Sequence, residues 1–254
     1  MASQAGGAMQ SLAALAIGSL IIVSTVVAIR LFGLHRRTGA TPELLLGGML
    51  FLSVSIGYPF MIASDQVAAW TGPLFLVATL AINVGFCLLF AFTWRVFQPQ
   101  AAWARAVAAA GMILLFVNVV HQGIRVSKGS FAFTEVPLAE SLFQTGPVLA
   151  AYVWASWESL RYYAKMRRRL KIGLADPVVG DRFLLWGLLG LPTSLGVIAN
   201  SVAIALRVEV FSDPRILLLS SATGMAQAVI LVLAFLPPRS YLSWVRARAT
   251  AVGA

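Results

Sequence analysis

The chain has little charge. Only 11% of its 254 residues are Asp, Glu, Lys or Arg, where a soluble domain carries about 25%. Acids are the scarcer sign, nine against nineteen Lys and Arg. Lysine itself occurs only at Lys128, Lys165 and Lys171. The single cysteine, Cys87, excludes an internal disulfide framework and a thiolate metal cluster. The two histidines, His35 and His121, cannot build a three-nitrogen zinc site or a bis-histidine haem site at membrane depth, because only His121 approaches it. No Gly-x-Ser-x-Gly or His-Glu-x-x-His stretch occurs, and no nucleophile stands with a base. The expectation is a protein that is not an enzyme and holds no metal or cofactor.

What fills the chain is apolar. Hydrophobic residues make up 59% and the mean hydropathy is +0.86, which indicates an integral membrane protein. A bilayer span takes roughly 20 mostly apolar residues. Seven stretches qualify: Leu12–Phe32, Leu44–Ile62, Pro73–Trp94, Trp103–Val120, Leu142–Tyr162, Phe183–Leu206 and Ile216–Leu236. The connections are short, so the expected fold is all-α, one seven-helix transmembrane domain over residues 1–254 with a short tail at 237–254. Boundary signals agree. Thr41-Pro42-Glu43 offers a capping residue, a helix-starting proline and an acid before the second helix. Asp176-Pro177 does the same before the sixth, and Pro237-Pro238 closes the seventh. The first ten residues contain no Lys or Arg. The basic region of a signal peptide is therefore missing, and an uncleaved anchor is expected.

The basic residues are distributed unevenly. Fifteen of the nineteen fall in the 1–2, 3–4 and 5–6 connections and the tail; Arg125, Lys128, Arg207 and Arg215 fall in the others. By the positive-inside rule the N-terminus lies outside and the C-terminus in the cytoplasm. Arg-, Ala- and Leu-rich usage suggests a bacterial inner (plasma) membrane. The densest basic stretch, Arg161, Lys165, Arg167, Arg168, Arg169 and Lys171, reads as a cytoplasmic anchor on anionic lipid heads, each charge contributing about 1 kcal/mol. No recognition module surrounds it, so nucleic acid is not an expected partner. Helix formers run on to Ile172, with Gly173 a natural C-cap. The fifth helix is thus expected to project two to three turns into the cytoplasm, where a signalling partner could meet it.

Seven helices in this orientation resemble the microbial rhodopsins in number and topology. In that family retinal is carried on a lysine of the last helix. Here that helix reads RILLLSSATGMAQAVILVLAFLPP and holds no lysine, so Schiff-base chemistry is excluded. Seven-helix zinc hydrolases of the progestin and adiponectin receptor type need several histidines at membrane depth, which are lacking. The pair Pro99-Gln100 matches the motif of proline–glutamine sugar transporters but falls in a connection and has no second copy.

Uncharged polar residues recur on helix faces. Asn118, His121 and Gln122 share a face of the fourth helix. Ser55, Tyr58 and Asp65 are expected along one side of the second. Ser220, Thr223 and Gln227 share a face of the seventh. Gln144 and Thr145 open the fifth helix, and Asn200 and Ser201 lie late in the sixth. Most fall in the outer half; Asn83 and Gln227 fall near the midplane. Converging, these faces would line an outward-opening ligand cleft of Tyr58, Asn118, His121, Gln144, Asn200, Thr223 and Gln227; the alternative is ordinary interhelical hydrogen bonding. Pro59, Pro147 and Pro192 lie inside helices and are expected to bend them. Ser220, Gly224 and Ala228, and Gly190 with Ser194, are small residues at four-residue spacing that favour close helix approach.

The functional expectation is a sensor or receptor-like module. A transporter or channel for a small uncharged solute and an assembly subunit without ligand are the alternatives. No acid occupies the midplane, which weighs against ion-coupled transport.

Overall fold

The computed structural model describes residues 2–129, 137–170, 172–208 and 213–253; Lys171 of the basic stretch lies outside them. The described residues are helical and contain no strand. We number the helices α1 (Ala2–Thr38), α2 (Thr41–Gln66), α3 (Thr71–Phe97), α4 (Ala102–Ser127), α5 (Leu138–Leu170), α6 (Pro177–Ala205), α7 (Pro214–Phe235) and α8 (Arg239–Gly253). Six of them, α1 to α4 with α6 and α7, are long and apolar enough to cross a membrane. This is the character of a multi-pass integral membrane protein. The seventh expected span, α5, is not among the six. Its stretch between Glu140 and Glu158 is free of charge but mixes Ser, Gln, Thr, Gly, Pro and Trp into the apolar run, and its last turns are basic.

Each helix from α1 to α7 packs on the next, α7 returns to α1, and α3 also reaches α5. Small residues set the closest approaches. A Cβ at Gly190 of α6 would overlap the Ser156 hydroxyl of α5, and one at Gly187 would meet Leu160 at 2.6 Å. Gly224 of α7 faces Ala16 of α1 with more room, 3.8 Å to the nearest atom. Apolar side chains left exposed form stripes on the outside of the ring, such as Leu15, Ile22 and Ile29 on α1 and Ile113, Phe116 and Val120 on α4. Such stripes suit contact with acyl chains rather than water.

Helix starts follow the expected chemistry in two places. Asp176 caps α6, its Oδ1 accepting from Val178 N at 2.8 Å, and Asp213 caps α7, accepting from Arg215 N at 2.8 Å; each precedes a proline at the first helical position. At α2 the expectation fails. Thr41 lies inside the first turn and the N-cap is Ala40, with no side-chain cap. The Thr38 hydroxyl accepts from Ala40 N instead, at 3.2 Å. Beyond Pro237-Pro238 the tail is helical, as α8.

Within α2, Leu50–Gly57 widens into a π-helix immediately before Pro59. Proline cannot donate to the carbonyl four residues back, and the wider turns absorb that mismatch. The change of pitch also breaks the expected polar face. Ser55 turns to α1, where its hydroxyl and that of Thr25 hydrogen-bond at 2.7 Å, while Asp65 is exposed at the far end of the helix. Pro147 and Pro192 sit inside α5 and α6 without ending them.

Most of the basic side chains gather at one end of the bundle. There α5 continues through Arg161–Leu170 with Arg161, Lys165 and Arg167 to Arg169 exposed, and Tyr163, Met166 and Leu170 half-buried. It stops in a Schellman turn: Gly173 has φ +71°, its N–H bonds Leu170 O at 3.1 Å, and Leu174 N bonds Arg169 O at 2.9 Å. An aromatic cluster roots the extension. Phe97 stacks edge-on against Tyr162 at 5.0 Å, Tyr162 lies 5.6 Å from Phe183, and Trp186 meets Phe92 and Phe235 at 6.1 and 6.0 Å.

Candidate functional site

Toward the end opposite the basic extension, polar side chains of α4, α5 and α6 lie beside one another. Spacing of three and four residues puts Asn118, His121, Gln122 and Arg125 on one face of α4. Asn118 and Gln122 are buried, 5% and 3% exposed. Asn118 Nδ2 donates to Asn83 Oδ1 on α3 at 3.1 Å, and Asn83 Nδ2 donates to Thr79 O at 2.7 Å. One turn further out, Glu140 from the first turn of α5 joins the face. Its Oε1 accepts from Arg125 Nη1 at 3.1 Å and from Gln144 Nε2 at 3.2 Å, and lies 3.8 Å from His121 Nε2. Phe143 closes on the His121 ring edge-to-face at 6.0 Å. The late turns of α6 sit beside the same part of α5, since the hydroxyls of Ser201 and Thr145 hydrogen-bond at 3.0 Å.

The structure brings His121 and Gln144 together on Glu140; Asn118 lies one turn away on the same face of α4 but bonds Asn83 instead, and Asn200 stands next to Ser201 on the adjoining helix. Tyr58, Thr223 and Gln227 stand apart. Tyr58 is half-buried and packs against the apolar core. Thr223 is buried, and its hydroxyl bonds the Leu219 and Ser220 carbonyls of its own helix. Gln227 is half-buried one turn further on. No hydrogen bond joins these three to the network among the described residues.

Two members were not singled out from sequence. Glu140 is the centre of the ionic part, and Arg125 entered only as a charge on the sparsely basic side. The available signal was the pairing itself: an acid at the start of one helix and a base at the end of the preceding one are brought to the same depth by antiparallel packing.

The network is not closed. Asn118 Oδ1, Gln122 Oε1, His121 Nδ1, Ser141 Oγ and Asn200 Oδ1 are buried and have no hydrogen-bond partner among the described residues. Three of these atoms are amide oxygens, which only accept. A buried acceptor without a donor costs about 1–3 kcal/mol. Chemically the arrangement is a set of buried acceptors beside a compensated ion pair. The described residues contain no group of three or more His, Cys, Asp or Glu placed to hold a metal ion.

At the basic end a second polar contact joins α3 to α5. Glu158 is 1% exposed. Its Oε1 accepts from Arg161 Nη1 at 3.2 Å and its Oε2 from Gln98 Nε2 at 3.1 Å, so it ties the end of α3 to the base of the extension. On α8, Tyr241 donates to Asp181 Oδ2 of α6 at 2.7 Å. Burial, the hydrogen bond to Asp181 and its negative charge push the Tyr241 hydroxyl well above the usual phenol range, and Arg248 opposes them in part. Comparison with family models, with curated proteins and with solved structures finds no match to this chain, so the functional conclusion rests on these residues.

Proposed function

We propose that this chain is a non-catalytic, receptor-like module of seven membrane spans, N-terminus outside and C-terminus cytoplasmic, in a bacterial inner membrane. α5 counts as a span on this reading. Supporting that are its place in the ring between α4 and α6 and its exposed apolar stripe of Leu138, Leu142, Val153 and Trp157. The observation that carries the function is the set of buried acceptors without donors around Asn118, Gln122 and Asn200. A small uncharged molecule bearing hydroxyl or amide hydrogens would complete them. The signal would leave through the basic end of α5, which rests on anionic lipid heads and is free to meet a cytoplasmic partner.

The test is native mass spectrometry of the purified full chain, with thermal melting in parallel. Asn118→Leu and Asn200→Leu are expected to release a retained small molecule while leaving the melting temperature close to the parent value. If both variants melt lower and no molecule is retained by the parent, the polar network only holds helices together and the assembly-subunit alternative takes its place.

A further inference from the structure

The basic end of the bundle holds a half-open cavity of about 260 Å³, at the opposite end from the His121–Glu140 network. Five helices line it: α1 with Arg30 and Leu31, α2 with Glu43, α3 with Phe92, α6 with Arg182 and α7 with Phe235. Because α1, α2, α3, α6 and α7 all contribute, it is the mouth of the ring rather than a groove on its lipid face.

Its chemistry is mixed in a specific way. Arg30 and Arg182 are exposed side chains on separate helices. Leu31 and Phe92 behind them are buried. Glu43 Oε2 is buried and has no hydrogen-bond partner among the described residues. Neither arginine that lines the cavity bridges to it. Arginine forks match phosphate oxygens, while the Glu43 carboxylate, which lines the same cavity without an ion-pair partner among the described residues, attracts a cationic donor. One ligand chemistry satisfies both demands: a phosphate with an ammonium group a few bonds away and an apolar remainder. The geometry points to a binding site for a phosphoethanolamine group. The phosphate lies between Arg30 and Arg182, the ammonium donates to Glu43, and the remainder rests on Leu31, Phe92 and Phe235. The group could belong to an aminophospholipid or to a soluble ester.

The experiment uses the full chain in phosphatidylcholine nanodiscs, titrated calorimetrically with phosphoethanolamine and with phosphocholine, whose quaternary nitrogen has no hydrogen to donate. Phosphoethanolamine is expected to bind saturably and about tenfold or more tighter than phosphocholine, the size of one charge-assisted hydrogen bond. Arg30→Gln and Arg182→Gln are expected to weaken both by a similar factor. Glu43→Gln is expected to bring the two affinities together without abolishing either, and melting curves check that each variant is folded. A second set of discs containing phosphatidylethanolamine separates the sources: displacement of the soluble probe assigns the site to the lipid, and unchanged binding assigns it to the soluble ester. Equal affinity for the two probes, unchanged binding in both arginine variants, or a preference that survives Glu43→Gln would overturn the assignment. So would absence of probe binding together with absence of retained phosphatidylethanolamine by mass spectrometry.

Discussion

Arg207 ends α6 with φ 56°, in the left-handed region where a Cβ crowds the following carbonyl. Its N–H bonds Ile204 O at 3.0 Å and Val208 N bonds Ala203 O at 2.9 Å, the same turn that Gly173 makes after α5. Arg207→Gly is therefore expected to raise stability by about 0.5–1 kcal/mol, measured as a higher melting temperature of the full chain in detergent. Glycine at two other positions separates close packing from loose. Gly190→Ala drives a methyl group into Ser156 and is expected to cost about 1–3 kcal/mol. Gly224→Ala, with 3.8 Å to its nearest neighbour, is expected to change stability by less than about 0.5 kcal/mol. Equal melting temperatures for these two variants would contradict the difference in helix approach.

At the scale of elements, α5 and α8 carry the distinctive contacts. Arg161→Met leaves the buried Glu158 with Gln98 alone. Arg161 is itself partly exposed, so the expected loss is about 2 kcal/mol, below the range for a fully buried pair. Joining it with Glu158→Leu is expected to restore most of that loss, because the unpaired acid is gone; a double-mutant cycle in thermal melting measures it. The Tyr241–Asp181 bond fixes α8 against α6, and Tyr241→Phe is expected to speed hydrogen exchange in α8. The sign with pH follows from the raised hydroxyl. Below the unfolded tyrosine value of about 10 both states keep the proton, and the contribution is complete. As pH rises past that value the unfolded chain loses the proton first, so the contribution declines. The stability gap between parent and Tyr241→Phe should thus be level up to about pH 9 and narrow above about pH 10; a gap that widens there would contradict the burial and bonding of the hydroxyl.

For the whole molecule, function depends on the number of crossings. If α5 spans, reporter fusions after Gly173 and at Ala254 are expected on the cytoplasmic side, and fusions near Ser130 and Ser212, which lie outside the described residues, on the other. If only the six most apolar helices crossed, fusions near Ser130 and after Gly173 would report the same side. On either outcome α5 keeps its interface with α6 and the Glu158 contact, so the fusions test its placement in the membrane and not its place in the bundle.

Hydropathy alone pointed to a helical chain of membrane-protein character, and six helices are long and apolar enough to cross a membrane, because the cost of unpaired backbone groups in lipid leaves helices as the solution for long apolar runs. Local chemistry also determined the Asp176 cap, the end of α7 at Pro237 and the turn at Gly173, since each depends on neighbours within a few residues. The polar faces were legible only in part. Asn118 and His121 share a face by spacing, yet that Asn83 meets Asn118, and that Glu140 meets Arg125, depends on the depth at which separate helices cross. Ser55 meets Thr25 of α1 within a π segment that changes the pitch of α2, and no residue count reveals that change in advance. The cavity of Arg30, Glu43 and Arg182 joins positions far apart in the chain, on α1, α2 and α6. Only the closing of the ring put them around one space, because such a site is made by packing between helices and not by spacing along any one of them.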